Sequence, residues 1–146
     1  MDWVWVVVMA LRAASPADDD RWATVLAELD RSRETAFAQA DPRRLEEAYV
    51  RGSAAEAVDA RTISRYASRG GRVVGARVRV LTCRVVEASA RRARLDVVDR
   101  LGPARVVWDD GTTTPLPQDR PTRRVVTLTR TSEGWRVAAS SLLSPR

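Results

Sequence analysis

The sequence predicts an α+β domain: helices gathered on one face of a strongly bent antiparallel sheet, closing into a cone. Three observations predict it. Apolar residues recur with a helical period of 3.6 as far as Ala67, then with the strand period of 2 from Arg72 onward. Proline and glycine mark the junctions, at Pro16, Pro42, Gly52 and the pair Gly70-Gly71. The 146 residues are 45% hydrophobic and 30% charged, enough for one ordinary globular domain with a sizeable core. Helices first and strands afterwards is the order that segregates the two layers.

Residues 1–14 stand apart as a hydrophobic N-terminal segment, and 15–146 form the domain. Trp3 to Leu11 is nine apolar residues without a charge, shorter than the about 20 that a bilayer span needs. It lacks a basic leader, and Ala13-Ala14-Ser15 is a poor cleavage site. The segment reads as the end of a longer hydrophobic helix, as an element packed on the domain, or as an interfacial anchor using Trp3 and Trp5.

Ser15-Pro16 and Asp18-Asp19-Asp20 start the first helix, with carboxylates at its positive end. Trp22, Val25, Leu26, Leu29, Ala36, Phe37 and Ala40 form its apolar stripe, while Arg21, Glu28, Asp30, Arg31 and Glu34 fall largely on the other face. Asp41-Pro42 caps a short second helix with Leu45, Ala48 and Tyr49 inward, ended by Gly52. Ser53 and Glu56 match a capping box, and Asp59 can cap a third helix that uses Ile63, Tyr66 and Ala67. Gly70-Gly71 closes it. A long strand over Val73–Val86 changes face near Leu81-Thr82, which predicts a bulge there. Strands follow at Ala93–Leu101 and Ala104–Trp108, then a turn at Asp109-Asp110-Gly111 and a proline-rich loop over Thr112–Pro121. Arg123–Arg130 and Trp135–Ala139 make a final hairpin around Gly134.

Composition narrows function by elimination. The chain has no histidine, no lysine, one cysteine and 25 arginines. Histidine-dependent triads and metal sites lose their usual carrier, and a lysine Schiff base is excluded. A lone cysteine makes no internal disulfide. Residues 1–60 carry 7 Arg against 12 Asp and Glu, and residues 61–146 carry 18 against 7. Such a dipolar molecule could dock its basic face on an acidic protein or an anionic lipid surface. Nucleic acid is the weaker reading, because few aromatics interleave the arginines.

The run Glu34-Thr-Ala-Phe-Ala-Gln-Ala-Asp-Pro42, then Leu45-Glu-Glu-Ala-Tyr-Val50, a third helix closed by Gly70-Gly71, and a meander ending Val125-Val-Thr-Leu-Thr129 and Gly134-Trp-Arg-Val137 resembles the nuclear-transport-factor-2-like superfamily. The resemblance includes its SnoaL-like and kinase-association branches and covers roughly residues 20–140. It implies a bent sheet, a pocket between the sheet and the first helix, and homodimers through the sheet face. A membrane-associated actinobacterial branch would suit residues 3–11 and the arginine usage. Enzymes of this superfamily use aspartate with histidine, or aspartate with tyrosine; this chain has no histidine.

The surviving candidates are therefore carboxylate and phenol. Asp99 lies in the apolar row Leu95, Val97, Asp99, Leu101, where burial would raise its pKa as a general base requires. The plainer alternative pairs it with an arginine of a neighbouring strand, Arg123 or Arg79. Tyr49 and Tyr66 lie on inward helix faces and could aim hydroxyls at the same cavity, or simply pack in the core. Cys83 reads as a small buried hydrophobe, although Arg84 beside it could lower its pKa. Trp108 and Trp135 read as packing residues. The run Asp18–Asp20 lacks the ligand spacing of a calcium loop, so no metal and no cofactor is expected. The chain is expected to be a non-catalytic binding or assembly module that docks another protein or its own copy, in the cytoplasm or beside a membrane. The alternative is a small-molecule isomerase or lyase built on Asp99 and a tyrosine.

Overall fold

The computed structural model describes residues 16–143, so the hydrophobic segment over 3–11 and the proposed division at 14–15 lie outside the described residues. Helix α1 (Pro16–Ala38) buries Trp22, Leu26, Leu29, Ala36 and Phe37 at the predicted helical spacing. It stops two residues short of the predicted end because Ala40 adopts a left-handed φ of 51°, and Asp41 N reaches back to Ala36 O at 3.1 Å. Asp41 then caps the next element by accepting from Arg43 N at 3.1 Å, with Pro42 at the first position. That element, Pro42–Glu47, is a 3₁₀ helix that buries Leu45. The chain leaves it to join a distant strand: Val50 N donates to Val137 O, and Val137 N donates to Ala48 O, each at 2.8 Å.

Helix α2 (Ala54–Ala67) starts on the Ser53 capping box, with Glu56 N on Ser53 Oγ at 3.2 Å and Gly52 N on Glu56 Oε1 at 3.4 Å. Asp59 is therefore not a cap. It lies inside α2, buried.

The predicted strand Val73–Val86 is two strands in two sheets. Gly75 breaks it at φ +81°, where an added Cβ would lie 2.8 Å from Pro103 O. β1 (Gly71–Val74) pairs with β4 (Arg105–Trp108), which pairs in turn with β5 (Thr113–Pro115) inside the region predicted to be a loop. β2 (Val78–Ala88), β3 (Arg92–Leu101), β6 (Thr122–Thr131) and β7 (Gly134–Leu142) form the main antiparallel sheet in that order. The predicted bulge is present between Val80 and Thr82, a second lies between Val85 and Glu87, and a third interrupts the β6–β7 ladder at Thr127/Leu128. Each extra residue bends its strand, which is how the sheet curls.

The core fills the space between the helices and the sheet's inner face, around Leu45, Leu95, Val97, Val106 and Leu128. Trp22 meets Trp135 edge to face at 4.7 Å between ring centroids. The N-terminal turn of α1 reaches the free edge of β2, where Val85 N donates to Asp19 Oδ1 at 2.8 Å. Among the described residues no helix is long and apolar enough to cross a membrane.

Candidate functional site

A cavity of about 350 Å³ opens between α1, α2 and the inner faces of β3, β6 and β7. Helix α1 contributes Leu26, Asp30 and Arg33, spaced i, i+4 and i+7 on one face. Helix α2 adds Val58 and Asp59, and the strands add Asp99, Leu101, Thr122, Arg124 and Val126.

Three separate elements meet on Asp59. Arg33 of α1 grips its carboxylate with both ends of the guanidinium, Nε to Oδ2 at 2.5 Å and Nη2 to Oδ1 at 3.1 Å. The Tyr49 hydroxyl donates to the same Oδ2 at 2.5 Å. Burial pushes the Tyr49 phenol well above its ordinary pKa, and the Asp59 charge adds to it. The burial of Arg33 works against its charge, and the Asp59 carboxylate more than restores it. The Arg33 guanidinium also lies over the Phe37 ring, 4.9 Å from its centroid.

Asp99 is buried in the cavity wall, as its apolar row predicts. Burial raises its pKa, and Arg124 opposes the rise. Its arginine partner is Arg124, with Nε 3.1 Å from Oδ2, rather than Arg123 or Arg79. The reason is parity. Arg124 stands opposite Val97 on the inner face, whereas Arg123 stands opposite Val98 on the outer face and pairs with Asp96. Thr122 Oγ1 donates to Asp99 Oδ1 at 3.2 Å. The Arg124 N–H is not aligned with the carboxylate, so Nε is a buried donor without a hydrogen bond.

Asp30 is the residue that sequence reasoning placed on the wrong face. It lines the cavity half-buried, and among the described residues its carboxylate has no ion pair within 4 Å and no side-chain hydrogen bond. Burial lifts its pKa from 3.8 to about 7; Asp99 and Asp59 contribute to the rise, while Arg33 and Arg124 oppose it. The row Leu26, Asp30, Arg33, Phe37 at helical spacing was the available signal.

Tyr49 and Asp99 thus share the cavity, but Tyr66 does not. Tyr66 leans on Trp108 at 6.5 Å between ring centroids, away from the cone mouth. Trp108 also carries Arg69 over its ring and donates from Nε1 to Thr114 Oγ1 at 2.8 Å. Cys83 is half-buried, and burial, with Asp19 adding to it, pushes its thiol up to about 11, the reverse of an activating effect from Arg84. Among the described residues no three His, Cys, Asp or Glu side chains gather as a metal ion would need.

No protein-family model matches the chain, and no curated protein matches it in sequence. Solved structures do. The intermembrane-space region of the chloroplast protein ARC6 superposes with a TM-score of 0.60 at 14% identity, over 88% of this chain and 98% of that one. Aln2 from a Streptomyces species superposes at 0.54 with 16% identity, over 90% and 93%. A Xanthomonas campestris structure named "Putative calcium/calmodulin dependent protein kinase II association domain" superposes at 0.50 with 15% identity, over 90% and 93%. These likenesses, with helices packed on a curved antiparallel sheet, show that the chain has the nuclear-transport-factor-2-like cone fold.

Proposed function

We propose that this protein is a non-catalytic binding module whose cone cavity takes a small amphipathic ligand with a protonated amine or an equivalent cationic head. The observation that carries the reading is Asp30, a carboxylate with no ion pair among the described residues, in a cavity whose other buried acids already have partners. Leu26, Val58, Leu101 and Val126 supply apolar walls for the body of the ligand, and about 350 Å³ suits a small one. A cation beside Asp30 would favour its charged form and draw its pKa back down. Hexylamine, hexanol and hexanoate test this as matched probes in calorimetric titration. Hexylammonium should bind more tightly as pH rises through about 7, and Asp30→Asn should abolish that binding. Equal binding of the neutral or anionic probe would remove the reading.

A second reading, a small-molecule isomerase or lyase, is favoured by one observation: a carboxyl titrating near 7 is matched to general-base work. It would use Asp30 in place of Asp99, because Asp99 is paired with Arg124. The Tyr49 hydroxyl is committed to Asp59, so the polarising donor would be Arg124 Nε. Protein docking, the use anticipated from the sequence, is supported by the name of the Xanthomonas campestris structure. Sedimentation across a concentration series and with candidate partners tests it.

A further inference from the structure

The main sheet has a second face that no helix of the described residues covers. Alternation along β3 buries Ala93, Leu95, Val97 and Asp99 and sends Arg92, Arg94 and Arg100 outward. Arg79 and Arg84 of β2 and Arg123 of β6 stand on the same side, where the described residues of these three strands add two carboxylates, Glu87 and Asp96. Asp96 is already held by Arg123, at 3.0 and 2.6 Å. Among the described residues the other five arginines make no salt bridge within 4 Å. Arg79 and Arg100 are direct cross-strand neighbours, an arrangement of like charges that destabilises a sheet. Arg84 faces Asp96 and Arg94 faces Glu87, so the electrostatic cost that an anionic partner would relieve is concentrated at the Arg79–Arg100 pair.

We propose that this outer face docks on an anionic phospholipid bilayer. Guanidinium groups bind phosphate through two parallel hydrogen bonds, and the bilayer presents phosphates as a continuous layer. Nucleic acid fits the face poorly. Four strands at about 4.8 Å spacing span roughly 14 Å, whereas the major groove admits one helix or a two-stranded ribbon. The aromatic rings of the described chain pack elsewhere, so none is offered to stack on a single strand. Val86, 60% exposed at the second bulge, and the half-buried Val98 and Val125 set aliphatic groups among the arginines, as an interfacial layer accommodates. A second copy paired through this face would set arginine against arginine.

The test is co-sedimentation of the full chain with vesicles of phosphatidylglycerol mixed with phosphatidylcholine, against vesicles of phosphatidylcholine alone. Binding should require phosphatidylglycerol and disappear in about 1 M salt, where the screening length is about 3 Å. The double variant Arg79→Gln with Arg100→Gln should weaken it about 25-fold, while melting no lower than the parent because a repulsive pair is gone. The double variant Arg61→Gln with Arg65→Gln removes the same charge from the exposed face of α2 and should bind like the parent. Equal binding to pure phosphatidylcholine, which attachment through residues 3–11 would produce, overturns the proposal. So does an equal loss in both double variants, tight binding to duplex DNA or an acidic protein with none to vesicles, or a dimer that shields Arg79 and Arg100.

Discussion

Replacing Asp30 with asparagine removes an ionisation that the fold makes unfavourable, and the size of the effect follows from the structure. Burial holds the folded pKa near 7 against an ordinary 3.8, a shift worth about 4 kcal/mol at 1.36 kcal/mol per unit. Between those values the folded protein keeps a proton that the unfolded chain has released. Stability from this group is full below about pH 4, declines as pH rises, and is lost above about pH 7. An asparagine side chain cannot ionise, so the variant escapes the decline. Parent and variant should melt together near pH 4 and separate steadily until the variant leads by about 12 °C at pH 8, taking about 3 °C per kcal/mol for a chain of this size. Differential scanning calorimetry at half-unit pH steps measures the gap, and the titration of Asp96, on the outer face, cancels in the difference. A constant gap at every pH, or a variant less stable than the parent at pH 8, would refute the reasoning.

Asp59→Asn leaves the Arg33 charge and the Tyr49 hydroxyl facing an uncharged amide and should cost about 3 kcal/mol in urea unfolding; Tyr49→Phe should cost about 1.5 kcal/mol. A loss below about 0.5 kcal/mol in the first would mean that the three-element junction contributes nothing. Gly75→Ala places a Cβ against Pro103 O at a left-handed φ and should destabilise by about 2 kcal/mol, read from the urea midpoint. Cys83, its thiol raised to about 11, should alkylate with iodoacetamide about 100-fold more slowly at pH 8 than a thiol of ordinary pKa; labelling at the free-thiol rate would contradict the burial.

What the sequence disclosed was local. The α1 stripe, the Ser53–Glu56 capping box and the bulge beside Thr82 each rest on residues within a few positions of one another, and each is present. The features that stayed hidden depend on distant partners. Gly75 breaks a strand because Pro103 closes over it, and Asp59 is a junction because Arg33 comes from a helix 26 residues earlier. Asp30 looked polar and outward, and only the sheet folding over α1 makes that face interior. Arg124 rather than Arg123 reaches Asp99 through a difference of one residue in strand parity, which the apolar pattern of β6 alone does not fix. The burial of Asp99 was legible because the apolar alternation of its own strand marks that face.

The ends of the main sheet have a consequence for how this protein can meet others. An open sheet offers unpaired N–H and C=O groups along its two outermost strands, ready to template aggregation or capture an extended peptide. Here the outer side of β7 is bonded by Ala48 and Val50, and β2 is interrupted by two bulges and blocked at Val85 by the Asp19 carboxylate. Growth of the sheet by strand addition is obstructed on both sides. At the main sheet, association would fall to side chains and not to the backbone, and the smaller sheet keeps the exposed edge of β5.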